Sequence, residues 1–535
     1  MIKKKENSCE IREEEKCQSC REHQNECLTC NPGYFIPDDE EKIKYECQKC
    51  HVENCSFCQG TKLSNICHSC KYNLEPLYRY GKIVLCDYTC ITGEKEKCSI
   101  CSKENICSSC NDGYILFKGK CFLDYSFRAT YYTDRDNQEI ELVYHKYRIA
   151  KMKIGEETLM NLSSNYYTFP FAGKHTVDIL IDISQITTFE YFFSMITNLI
   201  SISFYQSFYK ENITDMKGFF ENCRSLTSID MSNFQSQNIT NIEYMFSHCR
   251  NLTFFSMSTF NTEYVKNMRG LFNRCFSLFS IDFSNINTNN VVNMEDMFIE
   301  CFSLVSLNLS NFNTEKVTNM NHLFYGCSSL TSIDFSNFDT KNVKEMAHMF
   351  SLCSKITSLN LFNFNTKNVL IMSYMFSECK SLISIDISTF ETQNVKRMGY
   401  MFYGCESLET LNLSNFNTQI VEIMEIMFSN CTNLKSIDLW NFISKKVRNI
   451  KRMFYHCHSL THVNISSFYR DSSVDISYLF YGCSNLTFID ISSFHRSNCT
   501  ESMFDLISKE GKIFVNNDFY NYTKKLLPNW EIVIS

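Results

Sequence analysis

The chain has 535 residues, with 52 Lys and Arg against 59 Asp and Glu, 30 Cys, 46 Phe and 22 Met. A net charge of −7 without a long basic run argues against a nucleic-acid partner, and 15 Gly with 5 Pro exclude a collagen-like or flexible low-complexity chain. So many residues exceed one ordinary core, which leaves several domains or a repeat architecture.

The opening Met1-Ile2-Lys3-Lys4-Lys5 is basic but has no apolar run behind it, so it does not read as a secretory leader. No window approaches the ~18 consecutive apolar residues of a membrane-spanning helix, and a soluble chain is expected. Cysteine divides the sequence. Eighteen lie in residues 1–121, eleven recur metronomically from Cys223 to Cys483, Cys499 stands alone, and residues 122–188 have none.

Residues 1–121 form a cysteine-rich region with seven C-x-x-C pairs: Cys17/Cys20, Cys27/Cys30, Cys47/Cys50, Cys55/Cys58, Cys67/Cys70, Cys98/Cys101 and Cys107/Cys110. Apolar residues are sparse between them, so cross-links must stand in for a core. Disulfides and zinc are both open as the cross-link, because Cys17/Cys20 followed by Cys27/Cys30 also has four-thiolate spacing. Cys47-Gln48-Lys49-Cys50-His51 matches a haem-attachment string, which chance explains among so many pairs. The runs CLTCNPGYF and CSSCNDGYILFKGKC suit small hairpins folding back over a bridge. They resemble growth-factor-receptor-type cysteine-rich modules and the C-x-x-C-studded variant surface proteins of protists.

Residues 122–188 alternate apolar and polar side chains in FRATYYT (127–133), EIELVYH (139–145) and HTVDILIDI (175–183). A small β-rich domain is expected there, covering the first open end of a repeat array.

From 189 to 511 the sequence repeats itself about twelve times at 26 residues. In one copy Leu408, Leu411 and Leu413 alternate with polar residues as a half-buried strand does, and Phe416 follows in the turn. Val421, Met424, Met427 and Phe428 then follow at helical steps, and Cys431 closes the copy. The fold class expected is an α/β repeat solenoid, leucine-rich-repeat-like, with parallel strands on a concave face and short helical turns outside. No single copy buries both its faces, so neighbours must stack. The cysteine column then points one way in every coil at a spacing of ~4.8 Å or more. A disulfide needs Cβ atoms ~3.8 Å apart and turned together, so buried free thiols are expected rather than a ladder of bridges.

Strand pleating turns the residues between the buried ones toward the concave face. One such column holds Asp282, Asn308, Asp334, Asn360, Asp386, Asn412 and Asp438, where an amide between carboxylates relieves repulsion and can bond to both. Phe254, Phe362, Trp440, His462 and Phe488 replace small polar residues at neighbouring exposed positions. They are the candidate binding anchors, drift in a degenerate repeat being the plain alternative.

The sentence M-x-x-M-F-x-x-C-x-S-L-x-x-[IL]-[DN]-[LFI]-S-x-F-x-T-x-x-V resembles the 26-residue repeat of BspA-like leucine-rich-repeat surface proteins over residues 190–511. Residues 512–535 resemble that family's closing segment and are expected to cap the array. The resemblance implies a non-enzymatic, secreted or cell-surface adhesion protein, with protein or glycan ligands on host or neighbouring cells. The alternative is an intracellular zinc-knuckle scaffold for protein assembly. No G-x-S-x-G, H-E-x-x-H or phosphate-binding glycine loop points to an enzyme. No cofactor is expected beyond possible zinc in the front region.

Overall fold

The computed structural model describes residues 127–144, 149–154, 164–181, 186–205, 213–234, 237–443, 445–468, 474–494 and 501–535, with the backbone of short strands between residues 17 and 123. Contacts divide the chain into two compact units, Met1–Tyr125 and Ser126–Ser535. The first carries short antiparallel strand pairs and one four-stranded sheet. The sulfur chemistry expected of its C-x-x-C pairs lies outside the described residues.

In the second unit Phe127–Thr133 buries every second residue, as its alternation requires: Phe127, Ala129, Tyr131 and Thr133 face inward. Gly173–Ile181 pairs antiparallel on one side of it, followed by Ile149–Ile154. On the other side lies Leu199–Phe204, antiparallel to Phe127–Thr133 but parallel to Ser228–Asp230, the strand of the next coil. The antiparallel sheet thus occupies the edge that the first coil would otherwise leave open. Buried Tyr131 donates its hydroxyl to the Leu142 carbonyl at 2.7 Å, so its polar end is satisfied.

The coils repeat in register. Ser306–Asn308 pairs parallel with Ser332–Asp334, and His462–Asn464 with Phe488–Asp490. A second parallel ladder of single bridges runs from Asp215 to Asp475. After the last repeat, Gly511–Val515 and Trp530–Ile534 add two further parallel strands, linked by the helix Asn517–Leu526, whose first turn is capped by the Asn516 side chain.

The return limb of each coil corrects the sequence reading, because it is not helical. Ile426 and Asn430 take the left-handed conformation, with φ of 58° and 59°, as their equivalents do in neighbouring coils. Backbone N–H groups then alternate in direction. Met424, Ile426, Phe428 and Asn430 donate to Asn449, Lys451, Met453 and Tyr455 of the next coil, while Ser429 and Cys431 donate three residues back. A helix would spend every N–H within its own coil. Two left-handed corners free half of them to tie coil to coil, which offsets a cost of roughly 1–2 kcal/mol for each such residue. The inward side chains are nevertheless the expected ones, for Val421, Met424, Met427, Phe428 and Cys431 are all fully buried.

Stacking carries the core along the array. Phe350, Phe376 and Phe402 form part of a ring ladder with centroids 5.7 and 5.4 Å apart. It runs without a break from Phe193 through Phe220 at one end to Phe480 and Phe504 at the other. The first step, from Phe193 to Phe220, is one residue longer than the period and the last, from Phe480 to Phe504, two shorter, yet both keep their place in the stack. The eleven repeat cysteines are free and buried, as expected. Each thiol donates to a phenylalanine carbonyl of the preceding coil, as Cys353 does to Phe324 at 3.1 Å. Burial pushes Cys327, Cys379, Cys431 and Cys483 up to about 12.

A buried threonine adds a polar tie. The Thr366 hydroxyl donates to the Glu391 carbonyl at 2.9 Å and accepts the Glu391 N–H at 2.8 Å, and Thr288, Thr314 and Thr392 do the same for their own next coils.

Candidate functional site

The strand face is built from three columns, each set by where the chain stops being a strand. In the Asp/Asn column each side-chain oxygen accepts the N–H two residues on. Asp282 does so from Ser284 at 2.9 Å, Asn308 from Ser310 at 2.9 Å and Asp334 from Ser336 at 2.9 Å. The same turn is closed by Asn360, Asp386, Asn412 and Asp438. A short polar side chain there ends the strand and takes up an N–H the ladder no longer uses. Among the described residues the expected amide bridges between neighbouring carboxylates are not found; the Oδ1 of each turns back to the backbone of its own coil instead. Ser256 does bridge coils, donating to Asp282 Oδ2 at 2.7 Å. That bond, with the Ser284 N–H, holds the Asp282 carboxyl below its ordinary range.

The aromatic candidates divide. Phe362 is 75% exposed and Trp440 60%, and they occupy one column three coils apart, roughly 15 Å at strand spacing. Each donates its N–H to the turn-forming residue before it, Asn360 or Asp438, so the backbone beneath both rings is pinned. Exposed serines, Ser388 and Ser414, fill the column between them. Phe254 is 53% exposed on a neighbouring column. His462 is exposed and stacks on Phe488 at 5.6 Å, and Phe488 packs on Phe514 at 5.5 Å. Phe488 is therefore half-buried in an aromatic run and not the open anchor expected of it.

Two features escaped the sequence reading. Phe279, Phe302 and Val305 are exposed along one edge of adjacent coils, with Phe276 stacked on Phe302 at 5.0 Å and the Arg250 guanidinium 5.1 Å from the Phe276 ring. Their signal was the loss of the usual threonine at 279 and 305, where Thr227, Thr253 and Thr331 keep it. Nearby burial lowers His248 below its ordinary value, assisted by Arg274, Arg250 and Arg224.

The second feature is a cluster of Glu295, Asp296 and His322, whose potential ligand atoms all lie within 4.8 Å of one another. The Arg269 guanidinium sits 3.2 Å from Glu295 and 3.3 Å from Asp296, and His322 Nδ1 lies 3.2 Å from Asp296. A guanidinium thus already supplies the positive charge that this buried carboxylate needs.

Fold and face together define a repeat β-solenoid with a polar strand face and a few exposed rings. The chain belongs to the family described as "Mycoplasma protein of unknown function, DUF285", whose model matches residues 169–278, 251–359, 300–410, 350–462 and 433–525. These segments run from residue 169 to 525, across the repeats and into the segments on either side. Among solved structures the chain is similar to the pneumococcal vaccine antigen PcpA, at 13% identity and a TM-score of 0.28 over 62% of this chain and 82% of that one. It is also similar to a leucine-rich-repeat protein of Leptospira interrogans, at 12% identity and a TM-score of 0.19 over 55% and 92%. A third likeness is to TLR13 in complex with ssRNA13, at 13% identity and a TM-score of 0.15 over 58% and 71%. TM-scores this low establish no shared function. No curated protein matches the chain.

Proposed function

We infer that this chain is a non-enzymatic recognition protein, secreted or held at a cell surface, that takes protein or glycan ligands of host or neighbouring cells on its strand face. The observation that carries the reading is the pair Phe362 and Trp440, two strongly exposed rings in a column whose other positions are serine. Solvating such rings is unfavourable, and covering them with a partner is worth on the order of 1–2 kcal/mol or more each. Their fixed backbones limit the ordering cost of binding. The Asp/Asn column keeps one carboxyl or amide edge per coil beside them, available to hydroxyl or amide groups of a ligand.

The direct test screens the purified chain against a glycan array and a panel of extracellular-matrix proteins, then repeats it with Phe362→Ser and Trp440→Ser. Each substitution is expected to weaken any hit at least tenfold with an unchanged melting temperature. Unchanged affinity in both variants sinks the assignment of the anchors. Antibody staining of unpermeabilised cells tests display, and labelling that needs permeabilisation counts against it.

A further inference from the structure

The first unit holds a repeated geometry that the reading above does not use. Three antiparallel strand pairs, Cys17–Cys20 with Cys27–Cys30, Cys55–Gly60 with Asn65–Cys70, and Cys98–Cys101 with Cys107–Cys110, each set cysteine opposite cysteine. The backbone partners are Cys17 and Cys30, Cys20 and Cys27; Cys55 and Cys70, Cys58 and Cys67; Cys98 and Cys110, Cys101 and Cys107. All three carry the same irregularity. One strand advances two residues while its partner advances one, and at the next step the roles reverse.

That irregularity has a consequence. Residues three apart in a regular strand fall on opposite faces, because the period is two. One extra residue in each strand brings the two cysteines of a C-x-x-C to two ladder steps apart, and hence to the same face. All four cysteine positions of a hairpin then share one face as two facing pairs.

We propose that each of these hairpins is closed by two cross-strand disulfides between its facing cysteines, and that the paired bulges are the backbone device that makes this possible. Directly opposed residues in an antiparallel pair have Cα atoms ~4.5–5.5 Å apart, inside the ~4.4–6.8 Å span of a disulfide. The two facing pairs are separated along the strands by two steps, about 6.8 Å. Four-thiolate zinc is the competing cross-link, and the experiment below separates the two. Each bridge forms by thiol–disulfide exchange. A thiolate attacks the disulfide of an oxidising partner, and the second thiolate then displaces that partner. Two protons and two electrons leave the cysteines, and the oxidant departs as a dithiol.

The same chemistry is denied to the repeat array. Its cysteines stand in parallel, equivalent positions and remain thiols. One chain then carries oxidised cysteines in its first unit and reduced ones in its second.

The test uses the full chain made through an oxidising secretory route. It is unfolded and alkylated without reduction, then digested with trypsin, which cuts after Arg21, Lys62 and Lys103, between the two strands of each hairpin. Fragmentation of the linked peptides is expected to place bridges at Cys17–Cys30 and Cys20–Cys27, and likewise in the other two hairpins. As a second measurement, Cys20→Ser with Cys27→Ser should add no free thiol, whereas Cys20→Ser with Cys30→Ser should release two. Bridges within a C-x-x-C, pairing of Cys17 with Cys27, or alkylatable thiols accompanied by stoichiometric zinc would each overturn the proposal. So would thiols that stay reduced without metal. None of these outcomes bears on ligand binding by the strand face.

Discussion

Two threonines in equivalent positions of the array should respond to the same substitution in opposite ways. Thr366 is fully buried, and its hydroxyl both donates to and accepts from the backbone of Glu391 in the next coil, at 2.9 and 2.8 Å. Thr418 is equally buried, but its hydroxyl finds no partner among the described residues, because the next coil departs from the pattern where the Ile443 N–H turns back to the Asn441 carbonyl. Valine matches threonine in shape and lacks the hydroxyl. At 366 the change strands one N–H and one C=O that were paired. Each unmet group costs about 1–3 kcal/mol when buried, and these lie partly within reach of water, so a loss of about 1–3 kcal/mol in total is expected. At 418 nothing is stranded and an unsatisfied buried hydroxyl is removed, so the change should be neutral or stabilising. Repeat arrays can unfold in parts, so urea midpoints are best joined to native-state hydrogen exchange of the amides near each site. Equal effects at the two positions, or a neutral Thr366→Val, would refute the idea that the hydroxyl ties the coils.

Two further outcomes follow from burial. None of the eleven array cysteines should react with a thiol reagent at pH 8 in the native protein, since burial raises them, in several cases to about 12, and no path leads to the sulfur. Labelling should appear only with unfolding, and fast native labelling of Cys353 or Cys379 would contradict the packing. His348 lies stacked between His322 at 4.8 Å and Tyr374 at 4.2 Å, and desolvation with the neighbouring His322 pushes it down to about 4. The unfolded chain takes its proton near pH 6.5, before the folded one does, so stability should be full above that value and fall as pH drops from about 6.5 toward 4. Replacing His348 with Gln should flatten the stability profile in that window, and an unaltered profile would exclude His348 as its source.

Much of the array was legible in advance because inward positions recur. Leu408, Leu413, Phe416, Val421, Met424 and Cys431 are buried as their spacing requires. The helical limb was misread for a definite reason. Val421, Met424, Met427 and Phe428 stand at three- and four-residue steps, and a limb with two left-handed corners produces the same steps as a helix turn. The corner positions hold Ile426 and Asn430 in one coil and Tyr400 and Gly404 in the coil before, so residue type does not announce them. The turn-forming role of the Asp/Asn column was hidden too, since exposed acidic and amide groups suit a binding trough equally well. Among the aromatic candidates, nothing in the local sequence distinguished open Trp440 from Phe488, whose neighbour Phe514 arrives from a strand beyond the repeats.

By itself, the order of residues determined that this molecule is a stack. A period of 26 with one invariant apolar set leaves shared burial between copies as the economical way to remove those side chains from water. Only the tertiary structure decided how the stack is wired. Backbone N–H groups have no preference written in side-chain hydrophobicity, and whether they close within a coil or reach across to the next depends on a neighbour being there to receive them.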